Sequence, residues 1–223
     1  MFTSRSGFPN GPARGVHRVI LRCVSAQPIP LPPGWPVAFR GSVAIAAGLV
    51  TAKMLRGPRF LRVFPDTYVR RASASPDLRL RSLAAYRYVE GRGVLSGYSA
   101  AVLLGADCAD PEAPAEVTVP GGGQRPHDGP QVHRGVLSED EIRRCRGVLV
   151  TSPRRTAFDL GRRPDLVEAV VGIDALANAG RFAPADVLEL AQHHPGARGC
   201  RDLRRQSPSP TRGRVPPWRR GFG

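Results

Sequence analysis

The chain has 223 residues and a hydrophobic fraction of 41%, enough for one or two small domains with a real core. No stretch approaches the roughly 18 unbroken apolar residues of a membrane span. The net charge of +15 points toward nucleic acid. However, residues 1–30 hold +4 of it and residues 201–223 hold +6, leaving +5 for the 170 residues between. The excess therefore says little about what the core recognises. Lys53 is the only lysine, against 32 arginines, a bias that reflects a GC-rich, bacterial type of genome. Cys23, Cys108, Cys145 and Cys200 lie far apart with no C-x-x-C, which reads as free thiols in a reducing cytoplasm.

Residues 1–36 read as a disordered lead, ending in the Pro-rich run Pro28–Pro36. The lead is Arg-rich and acid-free like a transit peptide, a reading the bacterial composition weakens. Its charged apolar run, 16–24, is no secretory core. A short helix is expected over Ser42–Ala47. Thr51 is placed to cap a second helix, Ala52–Arg56, which Gly57-Pro58 breaks. Arg59–Arg62 reads as a basic turn or short helix. Val63–Val69 reads as two short strands about a Pro65-Asp66 turn.

Pro76–Val89 carries an apolar stripe at helical spacing and ends at Gly91 and Gly93. Ser99 is placed to cap a helix to Leu104, which Gly105 stops. Glu116–Val119 alternates as a strand, and Gly121–Pro130 reads as a hairpin loop leading to Gln131–Arg134. Glu139–Ile142 reads as a polar connector and Gly147–Thr151 as a strand. Ser152 or Thr151 caps Pro153–Leu160, with proline at the first helical position, where its missing N–H costs nothing. Leu166–Ala179 and Pro184–Ala191 are further helices. The expected fold class is α+β, in two small parts.

Catalytic signatures are thin. The glycines at 121–123 are not followed by G-K-S/T or by a helix, as a phosphate-binding loop requires. His17, His127, His133, His193 and His194 form no metal motif and read as exposed or capping residues. Ser96-Gly97-Tyr98-Ser99 lacks the nucleophile elbow. A metal-dependent nuclease of the acid–acid–lysine type needs an acid two residues before a lysine, yet no acid precedes Asp66. No catalytic residue, metal ligand or cofactor is assigned.

Arg56, Arg59 and Arg62 are the candidate DNA-contacting residues. A short helix bearing arginine and then a β-ribbon is the ordering of a winged helix, whose helix enters the major groove. A solvated basic face in an Arg-heavy chain is the competing reading.

Several blocks carry a family resemblance. Gly48–Thr51, Arg56–Phe60, Phe64–Val69, Val94–Ala101, Glu116–Pro120, Val132–Arg134 and Thr151–Leu160 resemble an actinobacterial family. Its N-terminal region is similar to AbiEi-type antitoxins of type IV toxin–antitoxin systems, and a Vsr-like endonuclease domain follows. The resemblance runs from about Leu31 to Leu203. It implies a truncated winged-helix-like unit at 37–72, then a small mixed α/β antitoxin-like domain at 73–200. It also implies DNA and a nucleotidyltransferase-type toxin as partners, and a cytoplasmic location without membrane association.

Residues 201–223 depart from the family and read as a disordered tail. With GC-rich codons, a shifted frame through Ser209–Gly223 spells a sequence like the family's linker into its nuclease domain. The expectation is a chain truncated before that domain by a frameshift, and an over-extended start with its true beginning near Val24. The function expected is a non-catalytic DNA-binding and interaction region. A functioning antitoxin-type regulator and a DNA endonuclease are the alternatives.

Overall fold

The computed structural model describes residues 34–71, 77–121, 129–194, 196–200 and 203. The expectations for the lead, for residues 122–128 and for most of the tail lie outside those residues. The described chain is mixed α and β, with seven α-helices and two sheets. Among the described residues, no helix is long and apolar enough to cross a membrane.

The first part contains β1 (Ala38–Arg40), α1 (Gly41–Ala46), α2 (Ala52–Arg56), β2 (Phe60–Phe64) and β3 (Thr67–Arg70). Thr51 caps α2 by accepting a hydrogen bond from the Met54 N–H at 3.2 Å. The Pro65-Asp66 turn joins β2 to β3 as an antiparallel hairpin, with Asp66 in the left-handed region at φ 54°. The Asp66 carboxylate then reaches back to the start of α1. It accepts from the Ser42 N–H at 2.7 Å and hydroxyl at 2.5 Å, and pairs with Arg40 at 3.1 Å. Burial raises this carboxyl's pKa, and the hydrogen bonds from Ser42 and Arg40 more than reverse that, leaving it below its usual value.

Two readings of this stretch change. Arg59–Arg62 is not a helix: β2 begins at Phe60, because Pro58 disfavours helix and Phe60, Leu61, Val63 and Phe64 are β-formers with β3 to pair with. Ala38–Arg40, given no element in the sequence reading, is a strand on the far side of β3, completing a sheet in the order β1-β3-β2. One face of that sheet gathers Phe39, Phe60 and Tyr68, with Phe39 and Phe60 edge-to-face at 5.5 Å. Gly41 lets α1 lie on this face, since a Cβ there would stand 2.6 Å from the Tyr68 ring. The other face places Val69, with Leu61 and Val63, against Leu80 and Ala84 of α3 (Leu78–Val89). Asp77 caps α3, accepting from the Leu80 N–H at 2.7 Å.

The larger sheet has the order β6-β5-β4-β8-β7. Its strands are β4 (Val94–Leu95), β5 (Glu116–Val119), β6 (Gln131–Arg134), β7 (Ile142–Cys145) and β8 (Val148–Thr151). β5 and β6 pair in parallel, not as the antiparallel arms of a hairpin. The expected connector at 139–142 is a 3-10 turn, Glu139–Glu141, followed by β7, antiparallel to β8.

Four helices complete this part: α4 (Gly97–Leu104), α5 (Pro153–Gly161), α6 (Leu166–Gly180) and α7 (Asp186–His193). α4 is apolar nearly all round and is buried accordingly. Ala100 and Leu103 face a core with α3 and the strand residues Leu95, Val117 and Val150. Tyr98 and Ala101 face a second core with Phe158, Leu160, Ile173, Leu176, Val187 and Leu203. Ser99 lies inside α4 and does not cap it. Its hydroxyl is buried 2.7 Å from that of Ser82 on α3 and accepts from the Glu116 N–H at 2.8 Å. Ser152 does cap α5, accepting from the Arg155 N–H at 3.4 Å. Cys108, Cys145 and Cys200 are free thiols, and burial pushes Cys108 up to about 11.

Leu95 is fully buried on the central strand of the large sheet. Leu95→Ala is expected to lower the unfolding free energy by about 2–5 kcal/mol in urea titration. Val136→Ala, at a site 80% exposed, is expected to stay within about 0.5 kcal/mol of the parent.

Candidate nucleic-acid interface and charged cleft

Residues 38–71 hold seven basic side chains and one acid, Asp66, which is already engaged by Arg40 and Ser42. Arg56 is the last residue of α2 and is exposed. Arg62 is the exposed residue of β2. Arg59 occupies the turn between them and is half-buried. Its Nη1 is buried without a hydrogen-bond partner among the described residues. The three candidate arginines therefore sit on three successive pieces of one small unit: two in solvent, one partly withdrawn.

A second site was not assigned from sequence. In β5 the alternation that buries Val117 on one face turns Glu116 and Thr118 toward the other, where they line a cleft of about 1010 Å³. Glu116 is 1% exposed. Three donors make four contacts with its carboxylate. The Tyr98 N–H donates at 3.0 Å and His133 Nε2 at 2.7 Å, while Arg163 Nη2 donates to both oxygens at 2.7 and 2.8 Å. The Arg163 guanidinium also lies 4.0 Å over the Tyr98 ring, and the Tyr98 hydroxyl donates to Glu168 at 3.1 Å. Burial raises the Glu116 pKa, but the hydrogen bond from His133 and the charge of Arg163 hold it below its ordinary 4.5. Gly97, at φ +51°, makes room, because a Cβ there would fall on the carboxylate.

A second buried carboxylate, Glu141, closes the 3-10 turn on itself: its side chain accepts from the Ser138 N–H at 3.0 Å in a capping box. It also accepts from Arg155 Nη1 at 3.1 Å and His194 Nε2 at 2.6 Å. Arg155 forks onward to both oxygens of Asp159 at 3.0 and 3.2 Å, and Asp159 accepts from Arg162 at 2.6 Å. Phe158 packs beneath this chain. Arg162 sits 4.6 Å and Arg155 5.5 Å from its ring centroid, with the His194 ring at 5.4 Å. Both histidines thus act as donors to buried carboxylates. Among the described residues no group of three or more His, Cys, Asp or Glu is arranged to hold a metal.

What these contacts define is a small α/β domain with a buried, hydrogen-bonded charged centre. The chain belongs to the AbiEi antitoxin C-terminal domain family, which matches residues 93–205. No curated protein matches the chain. Both buried carboxylates and every side chain lining the cleft fall inside the matched span, and the basic unit at 38–71 falls outside it.

Sequence reasoning singled out the blocks holding Glu116, His133 and Arg155 but assigned them no role. One signal was available: an acid within Ala-Glu-Val-Thr-Val, where alternation demands that it face either solvent or a partner.

Glu116→Gln strands Arg163 and His133 around a neutral side chain and is expected to cost roughly 3–5 kcal/mol in urea unfolding. With Glu116 held below 4.5 in the folded chain, the unfolded chain takes up its proton first. Its contribution is complete above that value and lost as pH falls through the lower, folded-state value, so the acid side of the stability–pH curve should be shallower in the variant. A second variant, Gly97→Ala, combines an unfavourable φ with a clash. It is expected to lose at least about 2 kcal/mol, measured by thermal and urea unfolding.

Proposed function

We propose that this chain is a non-catalytic antitoxin-type protein that contacts DNA through residues 38–71 and engages a nucleotidyltransferase-type toxin through its α/β domain. The observation that carries the DNA part is the charge of that unit: seven basic side chains to one acid, with the acid tied into the Pro65-Asp66 turn. The order of elements supports it further. A strand, two short helices and a two-stranded ribbon follow one another, with β1 beside β3. In a winged-helix reading α2 lies at the major groove and the β2–β3 ribbon flanks it. The toxin part rests on the membership of residues 93–205 in an antitoxin domain family. The blocks at 94–101 and 151–160 also support reading the chain as the front region of a Vsr-like endonuclease-domain protein. Translating the gene's downstream DNA in all three frames tests that point, and the absence of a nuclease-type acidic strand in every frame would remove it.

The DNA contact is tested by replacing Arg56, Arg59 and Arg62 with alanine and measuring duplex binding at several salt concentrations. Each phosphate-contacting arginine should lower the slope of log K against log salt by about one. Arg56→Ala and Arg62→Ala should weaken binding with little change in the thermal midpoint, since both side chains are exposed. Unchanged affinity and slope in the triple variant would show that DNA is not held here.

A further inference from the structure

We propose that the cleft of the α/β domain binds a terminal phosphate group, carried either by a free nucleotide or by the 5′ end of a nucleic-acid strand. Among the described residues lining it, Arg134, Arg155, Arg162, Arg163 and Arg198 stand against only Glu116 and Asp159. Glu141, behind Arg155, leaves the arginines in excess, and His133 and His194 donate to the same carboxylates. Glu116, Asp159 and Glu141 balance the three inner guanidiniums and hold them in place, so the net positive charge of the wall is that of Arg134 and Arg198. Arg155 is fixed by Glu141 and Asp159, Arg162 by Asp159 and the Arg198 carbonyl, and Arg163 by Glu116 and the Tyr98 ring. Guanidiniums positioned in advance give up little entropy when an anion arrives.

The depth of these groups selects the kind of anion. The side chains of Arg155, Arg162 and Arg163 are 8%, 21% and 25% exposed. A duplex backbone is held by side chains that project outward; recessed ones are reached by a small or terminal group that enters the cleft. Phosphate, with several acceptor oxygens, suits the N–H groups that the carboxylates leave, among them Arg162 Nε, which is buried without a hydrogen-bond partner among the described residues, and the exposed Arg198 guanidinium. Phe158, beneath Arg155 and Arg162, and Tyr98, beneath Arg163, are both buried and offer a base no stacking surface, so the phosphate end of the ligand is what the cleft recognises. This site is separate from residues 38–71 and does not depend on their contacting DNA.

The test uses the full chain and calorimetric titration at fixed ionic strength, without added metal. The probes are inorganic phosphate, ATP, and one single-stranded oligonucleotide in 5′-phosphorylated and 5′-hydroxyl forms. The variants are Arg198→Ala and Arg134→Ala, both at exposed positions, and Arg162→Gln, each checked for an unchanged thermal midpoint. Binding of a phosphorylated probe, weakened about tenfold by Arg198→Ala or Arg162→Gln and untouched by Arg56→Ala, supports the site. ATP binding alone assigns a free nucleotide as the source, whereas preference for the 5′-phosphorylated strand over its hydroxyl twin assigns a strand end. Equal binding of the two oligonucleotides without ATP binding, no binding of any probe, or parental affinity in all three cleft variants overturns the proposal.

Discussion

A charged carboxylate stripped of water sits at the centre of the α/β domain, and the surrounding architecture follows from the need to satisfy it. An ionised carboxyl in a protein interior carries a desolvation penalty of several kcal/mol, offset only by close, well-aligned donors. Glu116 obtains them from the start of α4, from β6, and from Arg163 just beyond α5. Each donor comes from a different element, so the ionic contact also fixes where those elements stand. Gly97 belongs to the same constraint: its left-handed backbone aims the Tyr98 N–H inward and leaves the space the carboxylate fills.

Glu141 repeats the device on the other flank of α5, joining the turn before β7 to α5 and to the end of α7. Between the two nodes runs Pro153–Arg163, with Arg155, Asp159, Arg162 and Arg163 linking one carboxylate to the other. Its apolar residues Ala157, Phe158 and Leu160 are fully buried in the core below. One helix thus presents an ionic face to the cleft and an apolar face to the interior, which explains why this block is so distinctive in sequence.

The two parts of the chain treat their arginines in opposite ways. In residues 38–71 the positive charges outnumber the acids heavily and Arg56 and Arg62 project into solvent. Around the cleft Arg155, Arg162 and Arg163 are recessed and buttressed by carboxylates and rings. Projecting cations favour a large, diffuse polyanion, and recessed ones a compact anionic group. The proposed DNA contact and the proposed phosphate cleft are thus distinct surfaces, and neither is evident from the net charge.

Local chemistry was legible from sequence because its partners lie within a few residues. Thr51 and α2, Ser152 with Pro153 and α5, the Pro65-Asp66 turn, and α6 were all specified by caps, breakers and helical spacing over one or two turns. The α+β class followed from the same signals. The charged centre was not legible, because its bonds span 17 residues from Glu116 to His133, 47 from Glu116 to Arg163 and 53 from Glu141 to His194. The strands at 38–40 and 142–145 and the parallel pairing of β5 with β6 were hidden for the same reason: a short strand is defined by its neighbour across the sheet. Sequence by itself determined the helices, the turns and the uneven distribution of charge, all of them set by local backbone preference and composition. Only the tertiary structure decided that the glutamate in a plain alternating strand would become the buried anchor of a cationic cleft, because burying a charge depends on donors that folding alone brings together.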